Sequence, residues 1–220
     1  EIVESRLIAR VLPRYNRAGT RADKYCYVRL DTDAAWPRLT VVKEPGRSGE
    51  HLGPLPSRAM ATLVVEALQS ALPLRRCATR LTGNYEPPAG ATPCAAAQLG
   101  VALCPCAGLA DGAAYAVAVD TARRAMTGDP SVIVNQLAAR MSELAAAQRF
   151  EEAAMVRDRL AALLGAIKRD RLVTALRDAG RCTIRRGDAT WVVDDARLID
   201  VTVDGTASRA LPVDPPPPSP

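Results

Sequence analysis

The run Phe150-Glu151-Glu152-Ala153-Ala154-Met155-Val156-Arg157-Asp158-Arg159-Leu160 carries the only phenylalanine of a 220-residue chain into an alanine-rich, charged segment. Upstream, Val134, Leu137, Met141, Leu144 and Ala145 recur at helical spacing; downstream, Phe150, Ala153, Ala154, Arg157, Leu160, Ala161 and Leu164 share one stripe of a second helix. A very short connection at Gln148-Arg149 forces the two helices into an antiparallel hairpin. Periodicity alone leaves Phe150 two roles, an inward-packed core ring or an outward anchor for a partner.

The string Phe-Glu-x-Ala-Ala-x-x-Arg-Asp, with Met141 nine residues before Phe150, resembles the UVR motif of the UvrB and UvrC families. In those families the hairpin is a docking device. The resemblance therefore implies Phe150, Glu151 and Arg157 as partner-binding residues and a UvrB-type helicase as the partner. Residues 1–169 resemble the part of UvrC that runs from the end of its GIY-YIG nuclease domain, through a cysteine-bearing region, into that hairpin. The matches are Glu4-Ser5-Arg6-Leu7-Ile8, Pro13-Arg14-Tyr15-Asn16, Lys24-Tyr25-Cys26-Tyr27 and the loop His51-Leu52-Gly53-Pro54-Leu55-Pro56-Ser57. The short UvrC homologue Cho and the UvrC-like half of some actinobacterial exonuclease fusions look similar in architecture.

A GIY-YIG nuclease holds one divalent metal on a Glu carboxylate. The resemblance implies that role for Glu4, on a helix whose apolar positions would hold a hard-oxygen ligand rigid for Mg²⁺ or Mn²⁺. Asn16 stands at the family's active-site Asn and can both donate and accept hydrogen bonds. Read without the resemblance, the two are a solvated helix carboxylate and a turn residue. Neither Gly-Ile-Tyr nor Tyr-Ile-Gly occurs in the sequence, so strong nuclease activity is not expected from these residues alone. The tyrosines would then belong to a longer polypeptide, or the chain would be a nuclease-inactive adaptor.

Residues 1–30 hold seven basic side chains (Arg6, Arg10, Arg14, Arg17, Arg21, Lys24, Arg29) against three acidic ones, within a net charge of +5. This is either a phosphate-tracking face, with Arg10, Arg14 and Lys24 as the expected DNA contacts, or an arginine-biased solvated surface. Scarce aromatic residues argue against extensive base stacking. No apolar run approaches the ~20 residues of a membrane span, so a cytoplasmic protein without membrane contact is expected, and structural disulfides are disfavoured for its six cysteines. Cys77, Cys94, Cys104 and Cys106 lie in a Pro- and Gly-rich region where UvrC proteins place four cysteines resembling an iron–sulfur site. The third family position is occupied here by Ala102, with Cys104 two residues later as the substitute. A [4Fe-4S] cluster and Zn²⁺ both remain open. Cys26 and Cys182 read as buried hydrophobes.

The expected fold is α+β. Residues 1–73 form a partial GIY-YIG-type αβ piece with strands at 24–30 and 38–42, their sheet lacking its first strands, and a helix near 58–71 behind Ser57. Residues 74–108 are a loop-rich cysteine region; 109–129 a connecting helix capped by Asp111 and closed by Gly128; and 130–169 the hairpin, with Asp129 as N-cap and Pro130 at N1. Residues 170–213 complete the second helix, with a break at Gly165, and add a small antiparallel β piece with Gly187 and Asp194-Asp195 in its turns. Residues 214–220 are a proline-rich tail. Asp194, Asp195 and Asp200 read as turn residues rather than a second metal site. His51 is the only histidine, which excludes a Ser-His-Asp arrangement elsewhere.

Overall fold

Alternating apolar positions at Cys26, Val28 and Leu30 build the central strand of the first sheet. The computed structural model describes residues 25–79, 81–83, 85–108, 110–203 and 205–207. Residues 26–167 form one compact unit; Tyr25 and the residues from Lys168 onward belong to a second. In the first unit, β1 (Cys26–Leu30) lies between β2 (Leu39–Val42) and β3 (Glu50–Leu55) in a three-stranded antiparallel sheet. β3 was expected as a loop. The strand, with a cis peptide at Gly53-Pro54, closes on β1 through a bulge between Cys26 and Val28. Gly53 is required at that approach, since a Cβ there would lie 2.6 Å from Tyr27 Cδ1. With β3 the sheet has three strands from the described residues alone.

Helix α1 (Arg58–Ala71) starts as expected: the Ser57 hydroxyl accepts the Met60 N–H, and Ala61, Val64, Ala67 and Leu68 are buried. It packs on all three strands. A four-residue helix, α2 (Ala95–Gln98), and a single 3₁₀ turn at Pro105–Ala107 punctuate the cysteine loop. Helix α3 (Gly112–Thr127) is capped by the Asp111 carboxylate on the Ala113 N–H, ends at Gly128, and packs against β3 and α4. Helix α4 (Ser131–Ala146) begins one residue later than expected. Pro130 holds the cap position, and Asp129 still supplies the side chain by accepting the Ser131 N–H at 3.0 Å. One hydrophobic cluster runs from β1 to Ile167 and crosses the divisions expected at residues 73, 108 and 129 without a break.

Helix α5 (Phe150–Asp178) is continuous through Gly165, contrary to the expected break, because nothing crowds that glycine and its neighbours are good helix formers. The turn before it is a Schellman closure. Gln148 sits at φ 58 and donates to Ala145 O, while the Arg149 N–H reaches Leu144 O at 2.9 Å.

In the second unit, β4 (Cys182–Arg186), β5 (Ala189–Asp194), β6 (Arg197–Val203) and β7 (Thr206–Ala207) form an antiparallel meander. The β5–β6 loop is Asp195-Ala196, both at positive φ as a type I′ turn requires. Asp194 therefore ends the strand rather than entering the turn, and Asp200 lies within β6, where its carboxylate accepts the Val201 N–H. Cys182 is only half-buried in β4, an edge strand, so it is not the buried hydrophobe expected. The Arg169 guanidinium stands over the Tyr25 ring, 5.6 Å from its centroid. No helix among the described residues is long and apolar enough to cross a membrane.

Candidate metal centre and docking hairpin

Pro73 ends α1 and turns the chain into an extended segment that carries Cys77 to the loop of Cys94, Cys104 and Cys106. The Sγ atoms of Cys94, Cys104 and Cys106 lie within 4.8 Å of one another, and Cys77 Sγ is 3.4 Å from Cys104 Sγ. The four cysteines singled out from the sequence thus converge. Cys104 lies among these thiols, while Ala102 is buried at 5% exposure. All six cysteines are free thiols, Cys26 buried in the first sheet. Among the described residues, Cys94, Cys104 and Cys106 are the one group of three or more side chains that could hold a metal ion. Asp194, Asp195 and Asp200 form no such group.

The thiols are electrostatically unequal. The Ala97 backbone N–H at the start of α2 holds Cys94 below the usual thiol range, whereas burial pushes Cys104 well above it. The thiolate form is thus favoured at Cys94 and disfavoured at Cys104. Tyr115 of α3 braces the loop from beneath: its hydroxyl donates to Pro37 O and accepts the Arg75 N–H at 3.3 Å, and its ring meets Trp36 edge-on at 5.2 Å. Arg75 is the buried side chain that sequence reading missed. Its Nε donates to Trp36 O at 2.8 Å and its Nη1 to Thr79 O at 2.9 Å, with Cys77 O and Cys77 Sγ at 3.4 and 3.5 Å. The one cue in sequence was its position two residues before a candidate ligand.

Phe150 opens α5 with its ring 65% exposed, although it is the chain's one phenylalanine. The inward-packed role is therefore excluded. The stripe expected on α5 is rotated: Ala153, Val156, Ala162, Leu163, Ala166 and Ile167 face the core, while Phe150, Arg157, Ala161 and Leu164 face solvent. On α4, Ile133 replaces Val134 beside Leu137 and Leu144 as a fully buried position, and Ala145 is exposed. Alanine fits either face, so the stripe could not be oriented from composition. Glu151 is exposed, and Arg157 forms a solvent-exposed pair with Asp158 at 2.8 Å. Such pairs contribute little and exchange readily. Arg149 forks onto both Glu152 oxygens at 2.6 Å, holding the turn.

Glu4, Arg10, Arg14, Asn16 and Lys24 lie outside the described residues. Of the basic set at the front, Arg29 is described: it is half-buried and bound to Asp31 Oδ1 and Ser48 Oγ, each at 3.0 Å. His51, on β3, accepts the Gly46 N–H through Nε2 at 3.0 Å. Burial, and then the nearby Arg29 charge, lower its pKa.

The family model of the UvrC/Cho excinuclease middle domain matches residues 25–125, and that of the UvrB/uvrC motif matches residues 131–165. Proteins named UvrABC system protein C are similar over most of the chain. The one from Natronomonas pharaonis is 35% identical over 74% of this chain and 27% of its own length. Those from Syntrophus aciditrophicus and Rhodospirillum rubrum are 32% and 33% identical, over 92% and 74% of this chain and 31% and 25% of theirs. The chain thus spans about a quarter to a third of the length of the curated relatives it matches. No solved structure matches it. A three-stranded sheet with α1 and α3, a four-cysteine loop and a hairpin with an exposed Phe150 coincide with the two matched segments, and the chain belongs to the UvrC/Cho excinuclease family.

Proposed function

We propose that this chain is the middle and docking section of an excision nuclease of nucleotide excision repair, recruited to a UvrB-type helicase on DNA through the α4–α5 hairpin. The observation that carries this reading is Phe150, an aromatic ring held 65% exposed at the turn end of a matched UvrB/uvrC motif. An aromatic flanked by charge on a rigid helix is the arrangement of an interface anchor. Glu151 and Arg157 stand beside it to pair with opposite charges of a partner hairpin.

Cys77, Cys94, Cys104 and Cys106 would hold a [4Fe-4S] cluster, with zinc as the alternative; the convergence of four thiols in one loop fits either. When bound, the group supplies a thiolate cross-link over residues 77–106 and, as iron–sulfur, a one-electron redox centre. The protein's part is to preshape the loop. Glu4 is proposed as the ligand of a catalytic Mg²⁺ or Mn²⁺, Asn16 as its active-site neighbour, and Arg10, Arg14 and Lys24 as phosphate contacts. A second reading is a nuclease-inactive adaptor that binds DNA and a UvrB-type partner through the same exposed Phe150.

Calorimetric titration of the full chain into a UvrB-type C-terminal hairpin tests the docking: saturable one-to-one binding is expected, and no heat at micromolar concentrations refutes it. Nicking of bubble or damaged DNA with Mg²⁺ or Mn²⁺, lost in Glu4→Gln, would favour the enzyme; binding without nicking would favour the adaptor. Anaerobic purification with iron, sulfide and zinc analysis tests the thiol site, and four alkylatable thiols with no metal would exclude both groups.

A further inference from the structure

Arg75 is the buried charged residue of the described core, at 5% exposure. No ion pair among the described residues includes it; its side chain donates to backbone carbonyls and one sulfur. A guanidinium withdrawn from water is costly unless negative charge or a full set of acceptors compensates it. Here the acceptors come from three places that must be held together: Trp36 O before β2, Thr79 O beyond the first cysteine, and both the carbonyl and Sγ of Cys77. Arg38 adds a second cation on Cys77 O at 3.4 Å. Asp31 and Asp33 line the cavity that Arg75 and Arg38 share, but the polar side-chain atom that Arg75 reaches is Cys77 Sγ, which itself lies 3.4 Å from Cys104 Sγ.

We infer that Arg75 is a positioning residue for the cysteine-bound metal group: its guanidinium fixes the Cys77 arm against the Cys94, Cys104 and Cys106 loop and offsets the negative charge of the Cys77 thiolate. The inference rests on the metal-centre reading above. A fork with five donors suits the task, because one side chain reaches a carbonyl on one side through Nε while Nη1 serves the Cys77 arm. A lysine ammonium, a single point on a flexible stem, cannot hold these acceptors at once. Tyr115 completes the brace by receiving the Arg75 backbone N–H, so the side chain and main chain of one residue tie α3, β2 and the first thiol together.

The test is anaerobic titration of the reduced, metal-free full chain with Co²⁺, read by the thiolate-to-cobalt charge-transfer absorption, for wild type, Arg75→Gln and Arg75→Lys. Loss of a partner that orients a metal ligand typically weakens metal affinity by about 10- to 100-fold, and about tenfold or more is expected for both variants. In a Cys77→Ser background the Arg75→Gln effect should shrink to under about twofold, because coupled neighbours are not additive. Circular dichroism of the metal-free proteins identifies any variant that has unfolded, and Arg75→Lys carries the test if Arg75→Gln does. Wild-type affinity and band energy in a folded Arg75 variant overturn the inference alone. An equal loss with and without Cys77 overturns it too, since Arg75 would then act on the fold at large. A wild-type chain that binds no Co²⁺ overturns the metal-centre reading and this inference with it.

Discussion

Replacing Phe150 with alanine removes a ring that the free chain leaves 65% exposed. A buried phenylalanine covers roughly 200 Å², so about 130 Å² remain for a partner to cover. At about 25 cal/mol per Å² this corresponds to ~3 kcal/mol, and fixing the side chain returns about 0.5–1.5 kcal/mol. A net loss of ~2 kcal/mol follows, which is roughly a 30-fold weaker Kd for the partner hairpin, since ~1.4 kcal/mol is tenfold. The free chain should behave in the opposite way. Alanine is the better helix former by up to ~0.7 kcal/mol, and the ring contributes little to the hydrophobic cluster, so urea unfolding should shift slightly upward or not at all. Calorimetric titration and urea melts of both proteins make the comparison. Equal affinities would refute the anchor role, and a destabilisation above ~1 kcal/mol would show that the ring packs on its own hairpin.

Other contacts of the fold make equally specific predictions. Tyr115→Phe should cost about 1–3 kcal/mol in urea unfolding, because the Pro37 carbonyl and Arg75 N–H lose their buried partner; a neutral result would mean both groups find water. Gln148→Gly should stabilise the chain by about 1 kcal/mol, since a side chain at φ 58 carries the left-handed penalty that glycine lacks, and a drop in melting temperature would refute the geometry of the turn. His51 takes up its proton less readily in the fold than in the unfolded chain. Its contribution is therefore complete above the ordinary histidine pKa of about 6.5 and is lost as pH falls from there through the lowered folded value. Urea midpoints of wild type should decline across that window and those of His51→Gln should decline less; parallel profiles would refute it.

Much of this chain was legible locally. Ser57 and Asp111 are caps because their side chains reach N–H groups two or three residues on, and the hairpin follows from two helical runs with three residues between them. The meander of β4 to β6 likewise came from alternation and turn residues, all short-range properties. Tertiary structure decided the rest. Gly53-Pro54 reads as a loop until Tyr27 is seen to need a glycine opposite it, and the alanines of α5 gave no sign of which face would join the hydrophobic cluster. That Phe150 faces water is a consequence of that rotation. The cysteine types suggested a metal group, but the convergence of Cys77 with Cys104 across 27 residues, and the enclosure of Arg75 between Trp36 and Thr79, depend on segments distant in the chain. Caps and turns are satisfied by atoms a few residues away and leave their mark in local composition. Burial, helix rotation and the meeting of thiols are set by whatever the packed chain brings alongside, and no window of neighbouring residues encodes that.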